Sequence, residues 1–166
     1  MEALRIVRPG FDFRAERRAR ADAGVPDELR PDDLYPDALP CLTALRAMGL
    51  VVGAAGNTSA DVEGFLRAAC DLEVIASSEG LGAAKPAREF FAAIAHLVGL
   101  EPARIAYVGD RVDNDVVPAR EAGMLAVHIR RGPWGYLHAE LPEARRADIR
   151  ICSLAELPER LSAGLV

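Results

Sequence analysis

Residues 104–129 read RIAYVGDRVDNDVVPAREAGMLAVHI. The apolar run 105–108 has the length of a buried strand. It breaks at Gly109 into an acidic loop, Asp110-Arg111-Val112-Asp113-Asn114-Asp115. A helical stretch follows, stopped by Gly123, and residues 125–129 form a second apolar run. That order predicts a strand–loop–helix–strand unit with three carboxylates just past the end of its first strand. Open parallel sheets bind their ligands in the crevice at that end. Carboxylates crowded together repel by about 4 kcal/mol per close pair at an effective dielectric of 20. A hard divalent cation relieves the repulsion, and for carboxylate ligands Mg2+ is the natural choice. A solvated turn with an Asp helix cap is the alternative, and this stretch alone leaves both open.

The remainder of the chain narrows the choice. At 166 residues, with 51% hydrophobic and 27% charged residues, it suits one globular domain with a sizeable core. A net charge of -5 argues against a nucleic-acid surface, and no apolar stretch is long enough to span a membrane. The start, MEALRIVRPG, carries two arginines and lacks the apolar core of a signal peptide. Cys41, Cys70 and Cys152 are odd in number, far apart and match no metal spacing. They fit free thiols in a reducing, cytoplasmic setting, or simple core packing. Of 20 basic residues only Lys85 is a lysine. An ammonium is a compact point charge and a guanidinium a planar fork, so position 85 is a candidate for tight electrostatic geometry.

Before that unit, residues 1–34 are charged and irregular, with a polar helix predicted over 14–23 and ended by Gly24. Its arginines, Arg14, Arg17, Arg18 and Arg20, read as a solvated face. From Tyr35 the pattern is regular. Pro36 suits a first helical turn, Leu39, Leu42, Leu45 and Met48 mark an apolar face, and Gly49 ends the helix. A strand is predicted over 50–55, a turn over 56–59 and a helix over 60–70. Thr58 and Asp61 have capping-box spacing, and the same loop can hold an anion on its N–H groups. A strand over 72–76 and a loop over 77–84 lead to Lys85-Pro86 at the start of a helix over 87–98. Its apolar side is Phe90, Phe91, Ile94, Leu97 and Val98, and His96 is expected to be partly exposed. Residues 130–135, with Trp134, read as a rigid turn, residues 149–152 as an edge strand, and Ser153 with Glu156 as a capping box for a last helix that accommodates Pro158. Strands alternating with helices predict an α/β parallel-sheet fold.

The order Gly53 to Thr58, then Lys85-Pro86, then Gly109-Asp110 with Asn114-Asp115 and Ala122-Gly123-Met124, resembles the haloacid dehalogenase superfamily from about Tyr35 onward. The resemblance implies a Rossmann-like core over 35–166, with 1–34 the remnant of a small helical cap. It also implies Mg2+-dependent phosphoryl transfer through an aspartyl-phosphate, on a small phosphorylated metabolite. By the same likeness Lys85 neutralises the phosphoryl oxygens and the nucleophile, Asp110 and Asp115 hold Mg2+ directly or through water, and Gly56, Asn57 and Thr58 bind the phosphate. Two departures stand out. Gly56 replaces the family's usual Ser or Thr, and the family's nucleophilic Asp-x-Asp, at the end of a first strand, is absent from residues 1–50. The only Asp-x-Asp is Asp113/Asp115, within the acidic loop, and Asp12 lacks both the strand and the second carboxylate. The chain is therefore expected to be N-terminally truncated and nearly inactive by itself, a non-catalytic module being the alternative. The absent strand would be central, leaving two unpaired edges. Either those neighbours pair directly, or a partner such as a second copy in a homodimer covers them.

Overall fold

The computed structural model describes residues 10, 12–25 and 29–164. Most of MEALRIVRPG therefore lies outside the described residues. Helix α1 spans Phe13–Asp22 and turns at Gly24, whose φ of 67° suits a glycine. Asp12 accepts the Ala15 N–H at 3.1 Å, which makes it this helix's cap. Beyond a 3-10 turn at Pro31–Asp33, the chain runs through α2 (Ala38–Ala47), β1 (Gly53–Gly56), α3 (Ala60–Ala69), β2 (Val74–Ser77) and a single turn, α4 (Ser78–Leu81). Then come α5 (Arg88–Val98), β3 (Ala106–Gly109), α6 (Val117–Glu121), β4 (Leu125–Ile129), α7 (Gly132–Ala139), β5 (Ile149–Ile151) and α8 (Leu157–Gly164). Among the described residues no helix is long and apolar enough to cross a membrane.

All strand pairs are parallel, as an alternating α/β chain requires. β1 pairs with β2, and β3, β4 and β5 form a second sheet in that order. Side chains alternate across each strand, so neighbouring residues of β4 feed opposite faces. Ala126 joins Phe90, Phe91 and Ile94 of α5 and Ala119 of α6 on one face. Val127 joins Cys41 and Leu45 of α2 and Leu157 of α8 on the other. The result is the expected Rossmann-like layering, helices on both sides of parallel strands. β1 and β3, however, do not pair. Between them lies a slot of about 1090 Å³, lined by residues of both strands.

Several boundaries differ from the expectations. The strand expected from residue 50 begins at Gly53, and Val51 is exposed. Leu50 and Val52 instead belong to the core through the approach to β1. Thr58 and Asp61 form no capping box. Ser59 is the N-cap of α3 without a side-chain bond, and the Ala60 N–H goes to Glu79 Oε2 at 2.9 Å. The loop 77–84 contains α4, nucleated where the Ser77 hydroxyl accepts the Gly80 N–H. The turn at 130–135 opens into α7, with Pro133 in a tolerated first-turn position. Leu97, expected on the apolar face of α5, is exposed, because the face that packs holds Phe90, Phe91 and Ile94. Cys152 is exposed, whereas Cys41 and Cys70 are buried, and all three are free thiols. The Ser153–Glu156 capping box forms as its spacing predicts.

Candidate active site

Three loop segments meet at the carboxyl ends of β1 and β3. Gly56-Asn57-Thr58 leaves β1, Gly109-Asp110 leaves β3, and Lys85 precedes α5. Asn57 fixes the first to the third. Its Nδ2 donates to the Lys85 carbonyl at 2.8 Å, and the Lys85 N–H donates to its Oδ1 at 2.7 Å. With its amide spent on that clasp, Asn57 acts on the backbone of Lys85. The Thr58 carbonyl accepts the Ser78 hydroxyl at 3.2 Å. A Cβ at Gly56 would meet open space, so packing does not require glycine there.

Lys85 extends its ammonium to Asp115, with Nζ 2.6 Å from Oδ1. The Lys85 side chain is 13% exposed and that of Asp115 4%, so this pair is largely removed from water. The rings of Tyr107 and Phe90 lie 5.6 and 6.0 Å from the same nitrogen and add cation–π attraction. Asp115 Oδ2 accepts the Arg111 N–H at 3.0 Å. Its close approach explains Gly109, where a Cβ would stand 2.3 Å from that of Asp115. The acidic loop takes a π-helical turn at Val112–Val116 before continuing into α6. Such turns re-aim side chains, and this one sends Asp115 inward while Asp113 faces outward.

Asp113 is exposed and bound bidentately by Arg111, at 3.0 and 2.6 Å, which holds its carboxyl below the usual range. Arg111 stacks on Trp134, 4.4 Å from the ring centre. The two aspartates of the Asp-x-Asp pair therefore face different environments. Asp110 is the contrasting case. Burial first, and the charge of Asp115 second, raise its carboxyl above the ordinary range.

Asp110 and Asp115 thus form a partly dehydrated anionic pair beside one ammonium. Hard carboxylate oxygens of this number suit Mg2+, which binds through one or two carboxylates and keeps several waters. Among the described residues no group of three or more His, Cys, Asp or Glu side chains converges as a complete cage. The fit is to a hydrated hard cation rather than to a zinc-type site.

Sequence reasoning missed the supports of the acidic loop. His138 Nδ1 accepts the Val112 N–H at 3.0 Å, and His128 Nε2 lies 3.2 Å from the Asp110 carbonyl. Both histidines are buried, and burial lowers the pKa of His128. No local spacing announced either, because each acts across the fold. The ring of Tyr35, where the regular pattern begins, packs 4.3 Å from the Arg131 guanidinium.

The family model for haloacid dehalogenase-like hydrolases matches residues 9–123. Among curated proteins, a glyceraldehyde 3-phosphate phosphatase of Methanocaldococcus jannaschii is 36% identical over 133 residues, covering 78% of this chain and 55% of that protein. A phosphoserine phosphatase of Thermus thermophilus is 31% identical over 175 residues, covering 95% of this chain and 68% of that protein. The chain spans about half the length of the first curated relatives it matches. Among solved structures, a HAD phosphatase of Thermococcus onnurineus superposes with a TM-score of 0.66 at 26% identity, over 95% of this chain and 68% of that one. A match across more than half its length, on a fold shared with solved relatives, fixes the kinship: this chain belongs to the haloacid dehalogenase-like hydrolase family.

Proposed function

We propose that these residues form the lysine, phosphate-loop and metal half of an Mg2+-dependent phosphatase acting on small phosphorylated metabolites in the cytoplasm. The observation that carries the reading is the buried Lys85–Asp115 pair beside the raised carboxyl of Asp110. The phosphatase names of several relatives support it. In this reading Asp110 and Asp115 hold Mg2+, which supplies charge neutralisation to phosphoryl oxygens. Lys85 places a second positive charge on the same oxygens, and the N–H groups after β1 orient them. The division into a cap remnant over 1–34 and a core over 35–166 belongs to the same proposal.

Turnover by these 166 residues alone is expected to be negligible. Enzymes lower barriers by at least about 8 kcal/mol, and the attacking carboxylate of the family motif has no counterpart at the ends of β1 to β5. Assay of the purified chain on p-nitrophenyl phosphate with Mg2+ tests this. Turnover that Asp110→Asn abolishes would refute the expected inactivity.

A non-catalytic role is the second reading, favoured by the same incomplete residue set. Calorimetric titration with Mg2+ and inorganic phosphate separates the two site states. Heat of binding together with a raised melting temperature supports a working binding site. Neither signal would mean that the loop is only structural.

A further inference from the structure

Three aspartates share the acidic loop, and a divalent cation would be met by whichever of them turn inward. Asp115 is buried, Asp110 half-buried and Asp113 exposed. The choice among them is made where the loop meets α7. That helix is a firm reference. A Cβ at Gly135 would stand 2.7 Å from the Ile129 carbonyl, so the helix lies directly on the backbone that leaves β4. Arg131, just before it, is gripped by Asp37.

Trp134 and His138 stand four residues apart on one face of α7, and both meet the loop. Their rings pack edge to face, 5.2 Å apart. Trp134 lies against the Arg111 guanidinium, which holds the exposed Asp113 carboxylate in its fork. His138 reaches the backbone instead. Its Nδ1 accepts the N–H of Val112, the first residue of the π-helical turn, at 3.0 Å, and both residues are buried. The N–H groups that open a helical turn have no partner within it. Here they are divided, Arg111 N–H going to Asp115 Oδ2 and Val112 N–H to His138. Consecutive N–H groups thus join the inward carboxylate to α7. An accepting Nδ1 carries no proton, which puts the ring proton on Nε2. The Asp113 carboxylate is 3.6 Å from the same Nδ1, too far for a hydrogen bond.

We propose that His138 is a positioning residue of the acidic loop: by fixing the Val112 N–H it sets the turn in which Asp115 faces Lys85 and Asp113 faces solvent. Without that acceptor the Val112 N–H would be buried and unanswered, and the loop would gain by turning it to water. Such a rotation carries Asp115 away from Lys85 and lets Asp113 compete for the cation. The consequence for Mg2+ rests on the metal site proposed above. The hold on the loop does not.

The test uses the full chain and two variants. His138→Asn offers an amide oxygen near the place of Nδ1, and His138→Leu fills a similar volume with no acceptor. Imidazole nitrogen spectra of the parent are expected to show His138 with its proton on Nε2. In His138→Leu, amide exchange without metal should be about tenfold faster at both Arg111 and Val112, the effect of one unanswered buried donor. In His138→Asn it should stay close to the parent. Exchange at Leu125 of β4, whose N–H donates to the Ile105 carbonyl, should not change, which separates release of the loop from unfolding. Mg2+ affinity in calorimetric titration should fall about tenfold in the Leu variant and be kept by the Asn variant. A proton on Nδ1 of the parent, or loss of protection at Arg111 and Val112 in His138→Asn, would overturn the proposal, and both results count even where His138→Leu does not fold. So would a folded His138→Leu in which Arg111 stays protected. A parent that binds no Mg2+ would sink the metal reading alone, because the two amides are scored without it.

Discussion

Asp110 and Asp115 stand five positions apart, and the Lys85 ammonium bonds directly to Asp115, while burial and the charge of Asp115 raise the Asp110 carboxyl. The raised carboxyl of Asp110 holds its proton more tightly in the fold than in the unfolded chain. Its contribution to stability is present below the ordinary aspartate range and is lost as pH rises through the raised value. Asp110→Asn should therefore raise the melting temperature at pH 7 without Mg2+. Melting curves at pH 7 and pH 4 check this, with the gain disappearing at the lower value. Lys85→Met works in the opposite direction. It strands the buried Asp115 carboxylate without its ammonium, at a cost of about 3–5 kcal/mol, readable by urea denaturation at neutral pH.

Among the elements, Asp37 joins segments that sequence distance keeps apart. Just ahead of α2, its carboxylate is gripped by Arg131 ahead of α7, at 2.9 Å through one oxygen and through a second bond to the other. It also accepts from the Ser153 hydroxyl at 2.6 Å and the Leu154 N–H at 2.9 Å, at the approach to α8. The Arg131 pairing above all drives the Asp37 carboxyl far below the ordinary range. That stability is full above the ordinary aspartate value and is lost as pH falls through the depressed one. Asp37→Asn should cost about 2–3 kcal/mol at pH 7, with the gap to the parent narrowing below about pH 4 in urea titrations. Phe91→Ala, which empties a fully buried site in edge-to-face contact with Phe90 and Tyr107, should cost about 3–5 kcal/mol. These elements also show how far sequence patterns reach. β4 matches its expected limits because an apolar run buried on both faces has sharp ends, and the Ser153 box forms because its partners are three residues apart. Lys85 was legible as the solitary ammonium, and Asp110 and Asp115 as crowded carboxylates. The Thr58 box failed because Glu79, nineteen residues away from Ala60, supplies the cap instead. His128, His138 and Asp37 act over similar or longer separations, and no periodicity carries such information.

Across the molecule, the described residues form two parallel sheets, β1–β2 and β3–β4–β5. Among the described residues no strand covers the edges of β1 and β3 that face each other, which predicts rapid amide exchange at Gly53, Ala55, Ala106 and Val108, measurable by NMR. The groups of β1 and β3 that face β2 and β4, held in ladders, should exchange more slowly. The single lysine has a different kind of consequence. With one ε-amine in 166 residues, amine-directed chemistry has a single side-chain address, and that address is the floor of the site. Reductive methylation with isotopically labelled formaldehyde would place one side-chain reporter beside Asp115, alongside the signal of the terminal amine. Its chemical shift would follow Mg2+ or phosphate arriving at the site, with no substitution and no turnover needed. The same scarcity makes acylation a selective poison, since neutralising one amine would leave the interior carboxylate without its counter-charge.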